Sequence, residues 1–164
     1  MRRIAVLLAA AALACAGSAS GASRTDFSVV GTEVPPISSS LGTFVGAAGG
    51  PIGGWGIQIR HEPLRSGPTV AITGGSLWLA LRTGAALHAP VAGGSVTVTN
   101  RGARCTNQVY VVHVDLAGGA TFDGTLVHRR RSFFHHCVIY AATISGRASL
   151  SIYSSIVTSV PIGV

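Results

Sequence analysis

Lysine is absent: all twelve basic residues are arginine. GC-rich codons favour Arg, Ala and Gly, so the skew points to a GC-rich coding source rather than to a function. Acids are scarce. Asp26, Glu33, Glu62, Asp115 and Asp123 are the whole set. Glycoside hydrolysis needs two carboxylates across one site, and only Asp115 and Asp123 are placed to share a sheet. Past the N-terminus no apolar run reaches the roughly 18 residues of a membrane-spanning helix. No window there combines helical periodicity with caps. The G-x-S-x-G elbow of α/β-hydrolases is missing, and so is a helix for it to open. An aromatic-interleaved basic helix is missing too, which argues against nucleic acid as a partner.

The N-terminus reads "MRRIAVLLAAAALACAGSASGAS". Arg2 and Arg3 precede an apolar run from Ile4 to Ala16, and cleavage-like triplets follow at Ala14-Cys15-Ala16 and Ser20-Gly21-Ala22. This is the layout of a secretory signal peptide of bacterial kind. It divides the chain into a leader, 1–22, and one secreted domain, 23–164. The minor alternative is a lipoprotein anchored through Cys15. Lipoprotein signals usually carry leucine three positions before the cysteine, where this chain has Ala12. Without the leader, ten arginines face the five acids. A positive surface of that kind suits an anionic cell-envelope polymer or a lipid surface.

Two cysteines remain, Cys105 and Cys137. In an exported chain they are expected to pair. Closing the intervening loop restricts the unfolded chain by roughly 3–4 kcal/mol in the loop-entropy model.

What is abundant is glycine, 22 residues. Gly-Gly pairs at 49–50, 53–54, 74–75, 93–94 and 118–119 punctuate segments of period-two alternation. In "GSLWLALR", Leu77, Leu79 and Leu81 share one face; in "GSVTVTN", Val96 and Val98 oppose Thr97 and Thr99. This repeated signal of half-buried strands predicts strands at 27–31, 41–47, 55–60, 69–73, 76–82, 94–99, 107–116, 120–128, 136–144 and 147–158. The prolines and serines of 31–40 predict a loop. The fold class is therefore all-β, a single antiparallel β-sandwich or closed β-barrel. "GGSLWLALRTG" and "GGSVTVTNRG" resemble each other at a 19-residue offset, which hairpin punctuation explains.

The segment "VYVVHVDL-AGG-ATFDGTLVH" predicts a hairpin turning at Ala117–Gly119. Its register sets Val114 opposite Phe122 and Tyr110 opposite Leu126 on an apolar face. His113 then lies opposite Asp123, and Asp115 opposite Thr121, on the other face. The next stretch, "RRRSFFHHCVIY", reads as a hairpin end stapled by the disulfide. Its arginines project at a solvated tip, and Phe133 and Phe134 cap the core.

Two groups are candidate sites. Arg129, Arg130 and Arg131 form a candidate anion-binding tip. His113, Asp115 and Asp123 form a candidate polar cluster, the place for a small hydrolase if there is one. No catalytic set, metal or cofactor is assigned: zinc needs three or four convergent ligands, and adjacent His135 and His136 would point to opposite strand faces. The leading expectation is a secreted, non-catalytic binding or envelope-associated module. The alternatives are an assembly protein that pairs through strand edges, supported by the strand-prone C-terminal run, and the hydrolase.

Overall fold

Inward-facing apolar side chains line eight strands: β1 (Arg24–Glu33), β2 (Leu41–Ala48), β3 (Ile52–His61), β4 (Thr69–Leu81), β5 (Ala86–Asn100), β6 (Gln108–Leu116), β7 (Ala120–Phe133) and β8 (His136–Ser151). Each strand pairs antiparallel with the next, and β1 pairs with β8, which closes a barrel. The structure, a computed structural model, describes residues 24–151 except positions 36 and 66. The expected leader at 1–22, with Cys15, and the part of the expected 147–158 strand past Ser151 lie outside the described residues.

Eight strands enclose a space that side chains can fill. Phe44, Phe122, Ile57, Leu77, Ile144, Val29, Val112 and Val114 are the largest fully buried side chains. The Trp55 and Phe122 rings stack at 5.7 Å, and the Trp55 indole N–H donates to the Val30 carbonyl at 3.1 Å. Outward positions of β5 to β8 carry Ser95, Thr97, Thr99, His113, Asp115, Asp123, Thr125, Ser145 and Arg147. Apolar side chains also stand exposed on the outer wall, Val30, Val45, Trp78 and Val111.

The expected hairpin register is the observed one: Val114↔Phe122, Tyr110↔Leu126, His113↔Asp123 and Asp115↔Thr121, with the turn at 117–119. The strand count differs. The segments expected at 69–73 and 76–82 are one strand, β4, and those starting at 136 and 147 are one strand, β8. Strand β5 begins at Ala86, in a stretch expected to be a link, and β1 runs on to Glu33.

The reason lies in the glycine pairs. Gly74-Gly75 and Gly93-Gly94 sit inside strands, not between them. The β4–β5 ladder runs from Thr69↔Thr97 to Ala71↔Ser95 and resumes at Ser76↔Pro90. Both glycine pairs fall in the gap, which forms a corner of the barrel. Gly75 (φ 148°) and Gly94 (φ 128°) are conformations that side chains rarely adopt. A Cβ on Gly75 would lie 1.9 Å from the Gln58 carbonyl oxygen, and one on Gly94 would lie 2.1 Å from that of His113. The 19-residue resemblance is thus two strands bending at one corner.

Candidate functional site

The two ends of the barrel differ. One end has the short turns 49–51, 82–85 and 117–119. The other has the longer connections 34–40, 62–68 and 101–107, together with the β7–β8 turn. Arg60, Arg65, Arg101, Arg104, Arg129, Arg130 and Arg131 lie at or near the long-loop end, against Glu33 and Glu62. The remaining part of the barrel balances Arg24, Arg82 and Arg147 with Asp26, Asp115 and Asp123. Among the described residues the excess positive charge sits at the long-loop end.

At that end β7 and β8 outrun their neighbours. β6 pairs with β7 only as far as His128, and β1 pairs with β8 only as far as Thr143. Beyond these points β7 and β8 pair only with each other, from Arg129↔Ala141 to Phe133↔His136. The result is a two-stranded arm carrying about 16 Å of strand past the last residue pair of the barrel wall. An isolated two-stranded ribbon is marginally stable in water, and two links hold this one. The Cys105–Cys137 disulfide joins it to the 101–107 loop. The Arg130 guanidinium donates to the carbonyl oxygen of Gly102 at 2.9 Å and to that of Arg101 at 3.5 Å.

These contacts correct the expectation for Arg129, Arg130 and Arg131. They stand on the strand of the arm, and the turn itself is Phe134-His135. Arg130 is turned inward as a fastener, whereas Arg129 and Arg131 are exposed. The Arg131 guanidinium lies 5.6 Å above the Tyr140 ring. Phe133 and Phe134 do not cap the core: they are 54% and 79% exposed, with their rings edge to face at 4.5 Å. The positive φ values of Phe134 (45°) and His135 (65°) form the kind of tight hairpin turn that normally takes Asn-Gly.

A second feature of the same end was not foreseen. Glu33, the last residue of β1, and His128, the last inward residue of β7 before the arm, are almost fully buried together. The His128 Nε2–H donates to the Glu33 carboxylate at 2.7 Å. The Tyr110 and His128 rings meet edge to face, with centroids 5.1 Å apart. Burial raises the pKa of the Tyr110 hydroxyl above its ordinary value; Arg130 and Arg101 oppose this, and Glu33 adds to it. His128 lines a chamber of about 20 Å³ with His61, Leu64, Leu126 and Tyr110, and its Nδ1 is buried without a protein partner. The chamber has the size of one water. Leu64 and Tyr110 also wall an open cup of about 310 Å³ that carries Arg65, Arg101 and Gln108.

The His113 cluster forms as expected, on the outer wall. Nδ1 meets Asp123 at 2.6 Å and Nε2 meets Asp115 at 3.3 Å, all three side chains being well exposed. The hydrogen bond to Asp123, helped by the charges of both aspartates, raises the His113 pKa despite partial desolvation. Both ring nitrogens face carboxylates, so neither is positioned to take a proton from a hydroxyl nucleophile. Among the described residues no group of three His, Cys, Asp or Glu side chains stands in a metal-binding arrangement.

Comparison with protein-family models, with curated proteins and with solved structures gives no match. The functional reading therefore rests on the chain's own chemistry.

Proposed function

We propose that this chain is an exported, non-catalytic binding module of the extracellular space or cell envelope, and that its long-loop end engages an anionic partner. The observation that carries the reading is the segregation of charge. Seven arginines gather at one end, and of the two acids there Glu33 is occupied by His128. The barrel is a scaffold with an apolar core. Its closure pairs β1 with β8, so the barrel wall has no end strand, and the unpaired strand edges of the arm remain.

Steering by exposed charges fades as salt shortens the Debye length, about 8 Å at physiological ionic strength. Binding to immobilised anionic polymer and to anionic vesicles should therefore weaken steeply with salt. Changing Arg65, Arg104, Arg129 and Arg131 together to serine should abolish most of it. Each such surface change shifts stability by only about 0.5 kcal/mol. Arg130 is left in place because it fastens the arm. Arg147→Ser, at the other end, should leave binding unchanged. Undiminished binding by the four-arginine variant would refute the proposal.

A further inference from the structure

We infer that the stapled arm is a membrane-interface anchor: Phe133 and Phe134 enter the boundary between headgroups and acyl chains of an anionic bilayer, while Arg104, Arg129 and Arg131 meet the lipid phosphates. The inference rests on the anion-binding reading above and names its partner.

Exposed apolar side chains are ordinary when scattered singly. Among the described residues the three most exposed aromatic rings are gathered. Phe133, Phe134 and Tyr140, 54%, 79% and 54% exposed, all belong to one projecting hairpin. The two phenylalanines sit at its extremity, beyond the barrel wall, where no other strand covers them. Tyrosine and arginine stand behind them, in the order that membrane interfaces favour, with apolar rings deepest and amphipathic and cationic groups at headgroup level.

The backbone points the same way. Among the described residues, the non-glycine residues with positive φ are Arg104, Cys105, Phe134 and His135. All four lie in the two turns that the disulfide joins. A phenylalanine at φ 45° is held in a conformation that glycine or asparagine would adopt at lower cost. Strain of this kind persists where the side chain has a use. Soluble anionic polymers offer phosphate, sulfate or carboxylate to the arginines but little apolar volume to two phenyl rings. A bilayer offers both.

The test uses the full secreted chain with its disulfide intact. Cosedimentation with vesicles of phosphatidylcholine plus phosphatidylglycerol measures lipid binding, and retention on dextran sulfate measures binding to a soluble polyanion. The variant Phe133→Ser with Phe134→Asn keeps a residue suited to the turn, so the arm stays folded. It should bind the anionic vesicles roughly 10- to 100-fold more weakly, from the apolar area withdrawn, and dextran sulfate as before. A single Phe134→Trp substitution should give a blue-shifted tryptophan emission on those vesicles. Unchanged vesicle binding by the double variant, or no emission shift, would overturn the anchor. So would equal weakening toward both probes, or wild-type binding to dextran sulfate alone, and both would leave the anionic reading standing. Wild-type binding to neither probe would overturn that reading as well.

Discussion

The two ends of this barrel solve one backbone problem with different residues. At the short-turn end, positive φ is taken by Gly50, Gly84, Gly118 and Gly119. At the long-loop end Gly102 does the same, but Arg104, Cys105, Phe134 and His135 follow suit at a steric cost. The short-turn end also balances its charges, whereas the long-loop end concentrates arginine and buries an ionisable pair. One end is built as a fold requires. The other accepts strain, charge and buried polarity together, as functional surfaces do.

The largest test of that contrast is the buried pair. Removing one partner leaves the other uncompensated, so His128→Ala should cost about 3–5 kcal/mol. Replacing both with apolar residues, Glu33→Leu with His128→Phe, should recover most of the loss. Urea unfolding of the three proteins measures this. A single variant near wild-type stability would mean that the long-loop end carries no such liability.

The disulfide comes next. Its half-cystines are 32 positions apart, with Cα atoms 5.4 Å apart. Cys105→Ala with Cys137→Ala should lower stability by roughly 3–4 kcal/mol on the loop-entropy account. Amide exchange should show where the loss falls. Residues 129–141 should lose protection before β2 and β3 do, because the arm has no third strand. Uniform loss across the barrel would show that the arm is not a separate unit.

What could be read from sequence follows the same division. In β6 and β7 the apolar positions fix which residues face inward, and the three-residue turn fixes the pairing, so the His113–Asp123 neighbourhood was legible in full. The same parity places His128 inward, behind Leu126, and that signal was available. Its partner Glu33 was not legible, because the expected loop at 31–40 hid the end of β1, and 95 positions separate the two residues. Strand number failed because a glycine pair serves equally as a turn (118–119) and as a bend within a strand (74–75). The arm failed for a related reason. Charge runs favour tips and aromatics favour cores, so the sequence points Arg129–Arg131 to the tip that Phe134 takes, and Phe133-Phe134 to a core that neither of them reaches.

A reciprocal exchange at the turns tests the comparison more finely. Gly119 has φ 78° and open space where a Cβ would stand, so Gly119→Ala should cost about 1 kcal/mol from backbone conformation alone. Phe134→Gly should gain a comparable amount, because it relieves the same conformation. Thermal unfolding of both variants reads the difference. If both changes are destabilising, Phe134 is held by contacts that compensate its backbone, and the strain argument for the long-loop end is lost.

The smallest expected effect belongs to the outer wall and is a matter of pH. His113 has its pKa raised in the folded protein, first by its hydrogen bond to Asp123 and then by the charges of Asp123 and Asp115. A raised folded pKa means that the folded state holds the proton more tightly than the unfolded chain does. The contribution is therefore fully present below the unfolded value, about 6.5, and is lost as pH rises through the folded value. All three side chains are substantially exposed, 43%, 54% and 65% for His113, Asp115 and Asp123. Solvent screening therefore keeps the contribution to a few tenths of a kcal/mol. Proton NMR titration of His113 should show the elevated pKa, and Asp123→Asn should bring it down toward the ordinary value. Stability of wild type relative to Asp123→Asn should be greatest on the acidic side, while both aspartates remain ionised, and should decline as the imidazolium deprotonates. A difference that grew with rising pH would mean that Asp123 acts through another partner, Arg147 being opposite it on β8, and the cluster would then be an aspartate–arginine contact with His113 as a bystander.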